Sequence, residues 1–101
     1  MAVSYEEARE IVRRAVQAEW TPGTFCLDDR TILENEQMYA FSVGAREWIV
    51  DGDEDYIVEG ALPVVYKDDG RLAWLSSATI ALDDSLRTRP NPAPTLSAQA
   101  S

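Results

Sequence analysis

Ser4-Tyr5-Glu6-Glu7-Ala8-Arg9-Glu10-Ile11-Val12-Arg13-Arg14-Ala15-Val16-Gln17-Ala18-Glu19 is the stretch that decides the fold. Ser4 and Glu7 stand three apart, the spacing of a capping box, in which each side chain satisfies the other's free N–H. Glu6 and Glu7 face the positive end of the helix dipole. Tyr5, Ala8, Ile11, Val12, Ala15, Val16 and Ala18 recur at helical spacing as one apolar stripe. Arg9, Glu10, Arg13, Arg14 and Gln17 fall on the wet side, and Thr21-Pro22-Gly23 stops the pattern. The spacing predicts an amphipathic helix over 5–19, so another layer must cover its apolar face.

Downstream, the period changes to that of strands. Thr24-Phe25-Cys26-Leu27 is a short β run, and Ile32-Leu33-Glu34 either extends it or leads into a loop. Met38 to Val43 alternates, with Tyr39, Phe41 and Val43 on one face. Gly44-Ala45-Arg46 reads as a turn or bulge, and Glu47-Trp48-Ile49-Val50 as a third strand. After the acidic loop Asp51-Gly52-Asp53-Glu54-Asp55 comes the apolar Tyr56-Ile57-Val58-Glu59, then Gly60-Ala61-Leu62-Pro63 as a kinked approach to a strand. Val64-Val65-Tyr66-Lys67 and Arg71-Leu72-Ala73-Trp74-Leu75 flank Asp68-Asp69-Gly70, a strong hairpin signal because glycine accepts positive φ. The predicted fold class is α+β: a two-layer sandwich of one N-terminal helix on an antiparallel sheet of 4–5 strands. Its second face is left to solvent or a partner. Residues 1–86 form the single domain. Residues 87–101 hold three of the five prolines and read as a disordered Pro/Ala/Ser tail.

The composition narrows the chemistry. The 101 residues contain no histidine, one lysine (Lys67) and one cysteine (Cys26). That removes histidine-dependent catalytic triads, most zinc sites and any internal disulfide. Cys26, between Phe25 and Leu27, reads as a small residue of the sheet. No apolar run is long enough to span a membrane, and Met1-Ala2-Val3-Ser4-Tyr5-Glu6 lacks the features of a signal peptide. The expected location is cytoplasmic.

Net charge is −9 and uneven. Residues 28–84 carry fourteen acids against four bases, whereas residues 85–101 carry only Arg87 and Arg89. Phosphate repulsion disfavours nucleic acid as a partner. An acidic surface either steers a basic protein partner or serves solubility alone.

The candidate partner-binding residues are Trp48, Asp51, Asp53, Glu54, Asp55, Asp28 and Asp29. Trp48 abuts the acidic loop and has two readings: a binding hot spot, or a filler of the helix–sheet interface. Trp74 reads as core or half-buried, and Trp20 as closing the helix end against the sheet. Asp51, Asp53 and Asp55 imitate the start of a calcium loop, but loop positions 6 and 12 are Tyr56 and Leu62 instead of Gly and Glu. The pairs Asp28-Asp29, Asp68-Asp69 and Asp83-Asp84 are read as turn and cap residues. No catalytic residue, cofactor or metal is expected.

The order of these features resembles the YrhB / immunity protein 35 family. The resemblance rests on Ser4-Tyr5-Glu6-Glu7-Ala8, Leu27-Asp28-Asp29-Arg30-Thr31, Tyr39-Ala40-Phe41, Gly60-Ala61-Leu62-Pro63-Val64-Val65-Tyr66 and Asp69-Gly70-Arg71-Leu72. It covers about residues 4–80. It implies a small non-enzymatic cytoplasmic protein that binds and blocks a cognate bacterial toxin. Some relatives are chaperone-like, which makes a chaperone or adaptor for a client protein the alternative. An exposed sheet edge would make a homodimer easy to form.

Overall fold

The computed structural model describes residues 2–21, 23–57 and 60–96. Along the chain run α1 (Tyr5–Gln17), β1 (Phe25–Glu34), β2 (Met38–Ala45), α2 (Arg46–Ile49), a 3-10 turn (Glu54–Tyr56), β3 (Ala61–Tyr66), β4 (Leu72–Ser76), α3 (Ser77–Ala81) and β5 (Arg87–Pro90). The five strands form one antiparallel sheet in the order β4-β3-β2-β1-β5, with α1 packed on it. The α+β architecture follows from the helix-then-strands order of the sequence.

The capping box forms: Glu7 N–H donates to Ser4 Oγ at 3.1 Å, and Ser4 N–H donates to Glu7 Oε1 at 2.9 Å. The bond from the Ser4 backbone holds the Glu7 carboxyl below its usual range. α1 ends at Gln17, two residues before the expected end. The chain then tightens into i→i−3 bonds, Glu19 N–H to Val16 C=O and Trp20 N–H to Gln17 C=O. Pro22 lies outside the described residues. Tyr5, Ala8, Val12 and Val16 bury their side chains against Leu27, Ile32, Tyr39, Phe41 and Val65. Tyr5 stacks on Phe41 with ring centroids 5.3 Å apart. Burial, assisted by the negative charge of Asp29, pushes the Tyr5 phenol up to about 12. Ala15 and Ala18 of the predicted stripe are exposed.

β1 takes in Ile32-Leu33-Glu34 and is interrupted by a wide bulge. Asp28 pairs with Ser42 but Leu33 with Ala40, so four residues of β1 face one of β2. The offset is odd, so Leu27 before the bulge and Ile32 after it both reach the α1 core. The Asp68-Asp69-Gly70 hairpin closes as the sequence indicates. Gly70 has φ 74°, its N–H bonds Tyr66 C=O, and Asp69 Oδ1 accepts from Arg71 N–H. Asp83 caps likewise, accepting from Ser85 N–H at 2.9 Å. Cys26 is buried in β1, and burial pushes its thiol up.

Three expectations are corrected. Glu47-Trp48-Ile49-Val50 is not a strand: Arg46 N–H bonds Thr24 C=O as the last rung beside the Phe25↔Ala45 pair, and Val50 N–H then bonds Arg46 C=O, closing one turn of helix over Arg46–Ile49. The sheet's second face is not wholly open. Met38, Ala40 and Val64 are buried there under Ile80 of α3 and Leu86, leaving uncovered the end carrying Asp28 and Ser42. Trp74, 49% exposed on edge strand β4, takes the half-buried one of its two expected places. Finally, the domain does not stop at residue 86. Arg87–Pro90 pair with β1 from Thr31↔Pro90 to Glu34↔Arg87, and residues 91–96 fold back over the β1 bulge. Residues 97–101 of the expected tail, and Val58-Glu59, lie outside the described residues. Among the described residues no helix is long and apolar enough to cross a membrane.

Candidate functional site

The candidate residues separate into two places. Trp48 lies on α2 and is 39% exposed. With Asp28, Arg30, Ser42, Ile49 and Gly52 it lines an open groove of about 500 Å³ on the sheet face away from α1. Asp51, Asp53, Glu54 and Asp55 follow directly and are all exposed. Among the described residues none of the four carboxylates takes part in an ion pair. The structure thus joins Trp48, the acidic loop and Asp28 around one groove. Asp28 is already engaged there: Arg30 holds it bidentately, Nε to Oδ1 at 2.9 Å and Nη2 to Oδ2 at 2.8 Å. The Arg30 bond keeps the Asp28 carboxyl below its usual range.

This surface is built on backbone anchors. Glu47 points away from the groove and accepts from Thr24 N–H (3.0 Å) and Thr24 Oγ1–H (3.1 Å). The bond from the Thr24 backbone holds its carboxyl below the ordinary range. Gly52 N–H bonds Trp48 C=O, Asp53 N–H bonds Glu47 C=O, and Asp55 N–H bonds Asp53 Oδ1 at 3.1 Å. The acidic loop is therefore pinned to α2, and α2 to the start of β1. Its carboxylates are presented on a scaffold ordered before any partner arrives, which lowers the entropic cost of docking.

Gly23 underlies this staple. Its φ is +73°, and a Cβ there would stand 2.6 Å from Glu47 Oε1 and 2.8 Å from Tyr56 Cδ1. The Glu47 carboxylate is tied to Thr24 and cannot swing away without breaking both bonds. Gly23→Ala therefore combines left-handed strain with a clash and is expected to cost about 2 kcal/mol. A fall in the urea midpoint, together with faster amide exchange at Asp53, would show it. Unchanged exchange at Asp53 would mean that Glu47 does not hold the loop.

Asp29 is elsewhere, and its place among the partner-binding candidates is corrected: it has no accessible surface. Its Oδ2 accepts from Arg9 Nη1 (3.1 Å), Thr95 N–H (2.9 Å) and Thr95 Oγ1–H (2.6 Å), and its Oδ1 accepts from Leu96 N–H (2.9 Å). Burial pushes its carboxyl up. The bonds from Thr95 and Leu96 and the charge of Arg9 outweigh that and leave it below its ordinary value. Asp29 is the latch that holds the C-terminal segment, and Leu96 is buried beside it.

A further open groove, about 650 Å³, is lined by Glu34, Glu36, Gln37, Lys67, Ser85 and Arg87. Its charges cancel locally: Glu34 is bridged by Lys67 at 2.8 Å and Arg89 at 2.6 Å. Asp51, Asp53 and Asp55 do not converge, and among the described residues no three Asp, Glu or Cys side chains gather as a metal ion would require. Sequence reasoning missed the Asp29 latch and the Glu47 staple. Asp29 sits in the polar run Asp28-Asp29-Arg30-Thr31 and Glu47 beside the apolar Trp48-Ile49-Val50, and neither setting names the distant partner that engages it.

Comparison of the chain with family models, with curated proteins and with solved structures gives no match.

Proposed function

We propose that this chain acts by binding a basic protein, a cognate bacterial toxin domain in the immunity reading, through Trp48 and the Asp51–Asp55 loop. One observation carries the proposal: a half-exposed tryptophan adjoins four exposed carboxylates that no described cation neutralises. An aromatic anchor with uncompensated like charge around it suits a complementary, positively charged patch. Long-range attraction speeds encounter, and the tryptophan slows release. The chain has no histidine, and its shifted carboxylates are spent on caps, turns and ion pairs. That supports binding over turnover.

The test is affinity capture with the full chain from its source cell, followed by co-expression with the captured protein. A toxic basic protein should be recovered and its toxicity relieved. Neutralising the loop (Asp51→Asn, Asp53→Asn, Glu54→Gln and Asp55→Asn together) should weaken binding about 10- to 100-fold, mainly through slower association. Trp48→Ala should weaken it at least about tenfold through faster release. A partner bound equally well by both variants would sink the assignment of this surface.

The exposed Ile57 (41%), Trp74 (49%) and Leu82 (81%) favour the chaperone or adaptor reading. Suppression of aggregation of unrelated proteins would support that reading against the inhibitor.

A further inference from the structure

The two edges of the sheet are built differently. The outer strand β5, Arg-Thr-Arg-Pro, carries two arginines and a proline, the usual defences against edge-to-edge pairing. β4, Leu-Ala-Trp-Leu-Ser, has no charge, no proline and no bulge, and Trp74 is 49% exposed on it.

The pairing of β3 with β4 decides which backbone groups of β4 face outward. At one end Tyr66 N–H bonds Arg71 C=O at 2.9 Å, and at the other Ser77 N–H bonds Gly60 C=O at 2.8 Å. Antiparallel pairs alternate between bonded and non-bonded. With Val64 opposite Ala73 and Leu62 opposite Leu75, both ends place Ala73 and Leu75 in bonded pairs. Leu72, Trp74 and Ser76 are then the residues whose N–H and C=O groups point to the edge. Pro63, opposite Trp74, has no N–H and fits the non-bonded position.

We propose that β4 is a homodimer edge, pairing antiparallel with β4 of a second copy about a two-fold axis at Trp74. The edge is its own complement. Trp74 meets its counterpart in a bonded pair, exchanging two N–H···O=C bonds, and Leu72 lies opposite Ser76 on each side of the axis. The Ser76 carbonyl begins the α3 ladder, so Ser76 contributes its N–H, to the Leu72 carbonyl of the other copy. The two tryptophans stand side by side as a cross-strand aromatic pair. The occupant is a second copy and not the basic partner proposed above, because the seam has no charge to offer one. A copy of this chain brings no like charge into that seam either.

Sedimentation and a register-specific crosslink test this. The mass should rise from 11.3 kDa towards twice that value as concentration increases to about 1 mM. Each copy carries −9, so raising the salt should tighten the dimer, the opposite of its effect on docking to a basic partner. Trp74→Lys should weaken self-association at least about tenfold while leaving the far-UV spectrum unchanged. Mild oxidation of Trp74→Cys should give a disulfide dimer, since a bonded pair places the Cα atoms about 5.5 Å apart. Leu72→Cys or Ser76→Cys alone should not crosslink, whereas a mixture of the two should; native Cys26 is buried and does not compete. A wild-type chain that stays at 11.3 kDa throughout would overturn the proposal. So would a dimer that Trp74→Lys leaves intact, or crosslinking with the wrong pairs.

Discussion

Asp29→Asn is expected to destabilise the protein by about 3 kcal/mol at neutral pH and to release residues 91–96 from the sheet. The carboxylate is wholly buried and accepts from Arg9, twice from Thr95, and from Leu96. Asparagine keeps the volume but removes the charge, and its amide nitrogen would face donors. Arg9, only 15% exposed at its side chain, would lose its counter-charge, and its Nε already has no hydrogen-bond partner among the described residues. Removing one member of a buried pair costs more than the pair contributes, because the remaining charge stays desolvated. For a domain of about this size the loss corresponds to about 10–25 °C in Tm.

The pH dependence identifies the group. The Asp29 pKa is lower in the folded chain than its ordinary value. Its contribution is therefore complete above the unfolded value of about 4 and is lost as pH falls through the folded value. Urea unfolding should show the full gap between wild type and Asp29→Asn at pH 7 and a progressively smaller one below about pH 4. Amide exchange should be slow at Thr95 and Leu96 in the wild type and near the open-chain rate in the variant. A gap that does not narrow in acid would mean that the carboxylate charge is not what holds the segment.

Phe41→Ala is expected to have the largest effect of any single core truncation, about 3–5 kcal/mol. Phe41 is 2% exposed, lies at the centre of β2 and stacks on Tyr5 of α1. It is the only residue of β2 opposite the β1 bulge, between the Asp28↔Ser42 and Leu33↔Ala40 pairs. Neighbouring strands cannot close on the void, because the bulge and α1 hold them apart. A 101-residue domain has a total stability towards the low end of about 5–15 kcal/mol, so the variant should be largely unfolded near body temperature. Phe41→Leu, which leaves most of the volume filled, should cost about 1–2 kcal/mol. Denaturant midpoints compare the two. A similar cost for both would show that ring stacking on Tyr5, and not cavity volume, dominates the site.

The parts legible in the sequence are those whose partners lie within a few residues. The Ser4–Glu7 box spans four residues, the Asp68-Asp69-Gly70 turn spans three, and the 3.6-residue stripe of α1 repeats within a single helix. Alternation in Met38 to Val43 correctly placed Tyr39, Phe41 and Val43 on one face, and the structure shows that α1 covers it. The acidic loop was legible for the same reason, whereas the exposure of Trp48 beside it was left open between two readings and is decided by its place on α2.

Glu47-Trp48-Ile49-Val50 is a run of one polar and three apolar residues, too short for its period to separate strand from helix. The contacts of Thr24, more than twenty residues away, settle it. The Arg-Thr-Arg-Pro-Asn-Pro-Ala-Pro stretch buries almost no apolar surface, so composition argued for disorder. It is ordered by backbone pairing with β1 and by a carboxylate more than sixty residues earlier.

Asp28 and Asp29 adjoin in sequence and look equivalent, yet one faces the groove and the other is sealed under the C-terminal segment. The sequence by itself determined the helix, the hairpin and the sign of the surface charge, because local hydrogen bonding, periodicity and side-chain type are properties of the chain. Tertiary structure alone decided which acids are presented and which are buried. Burial depends on what packs above a residue, and here the covering atoms come from the far end of the polypeptide.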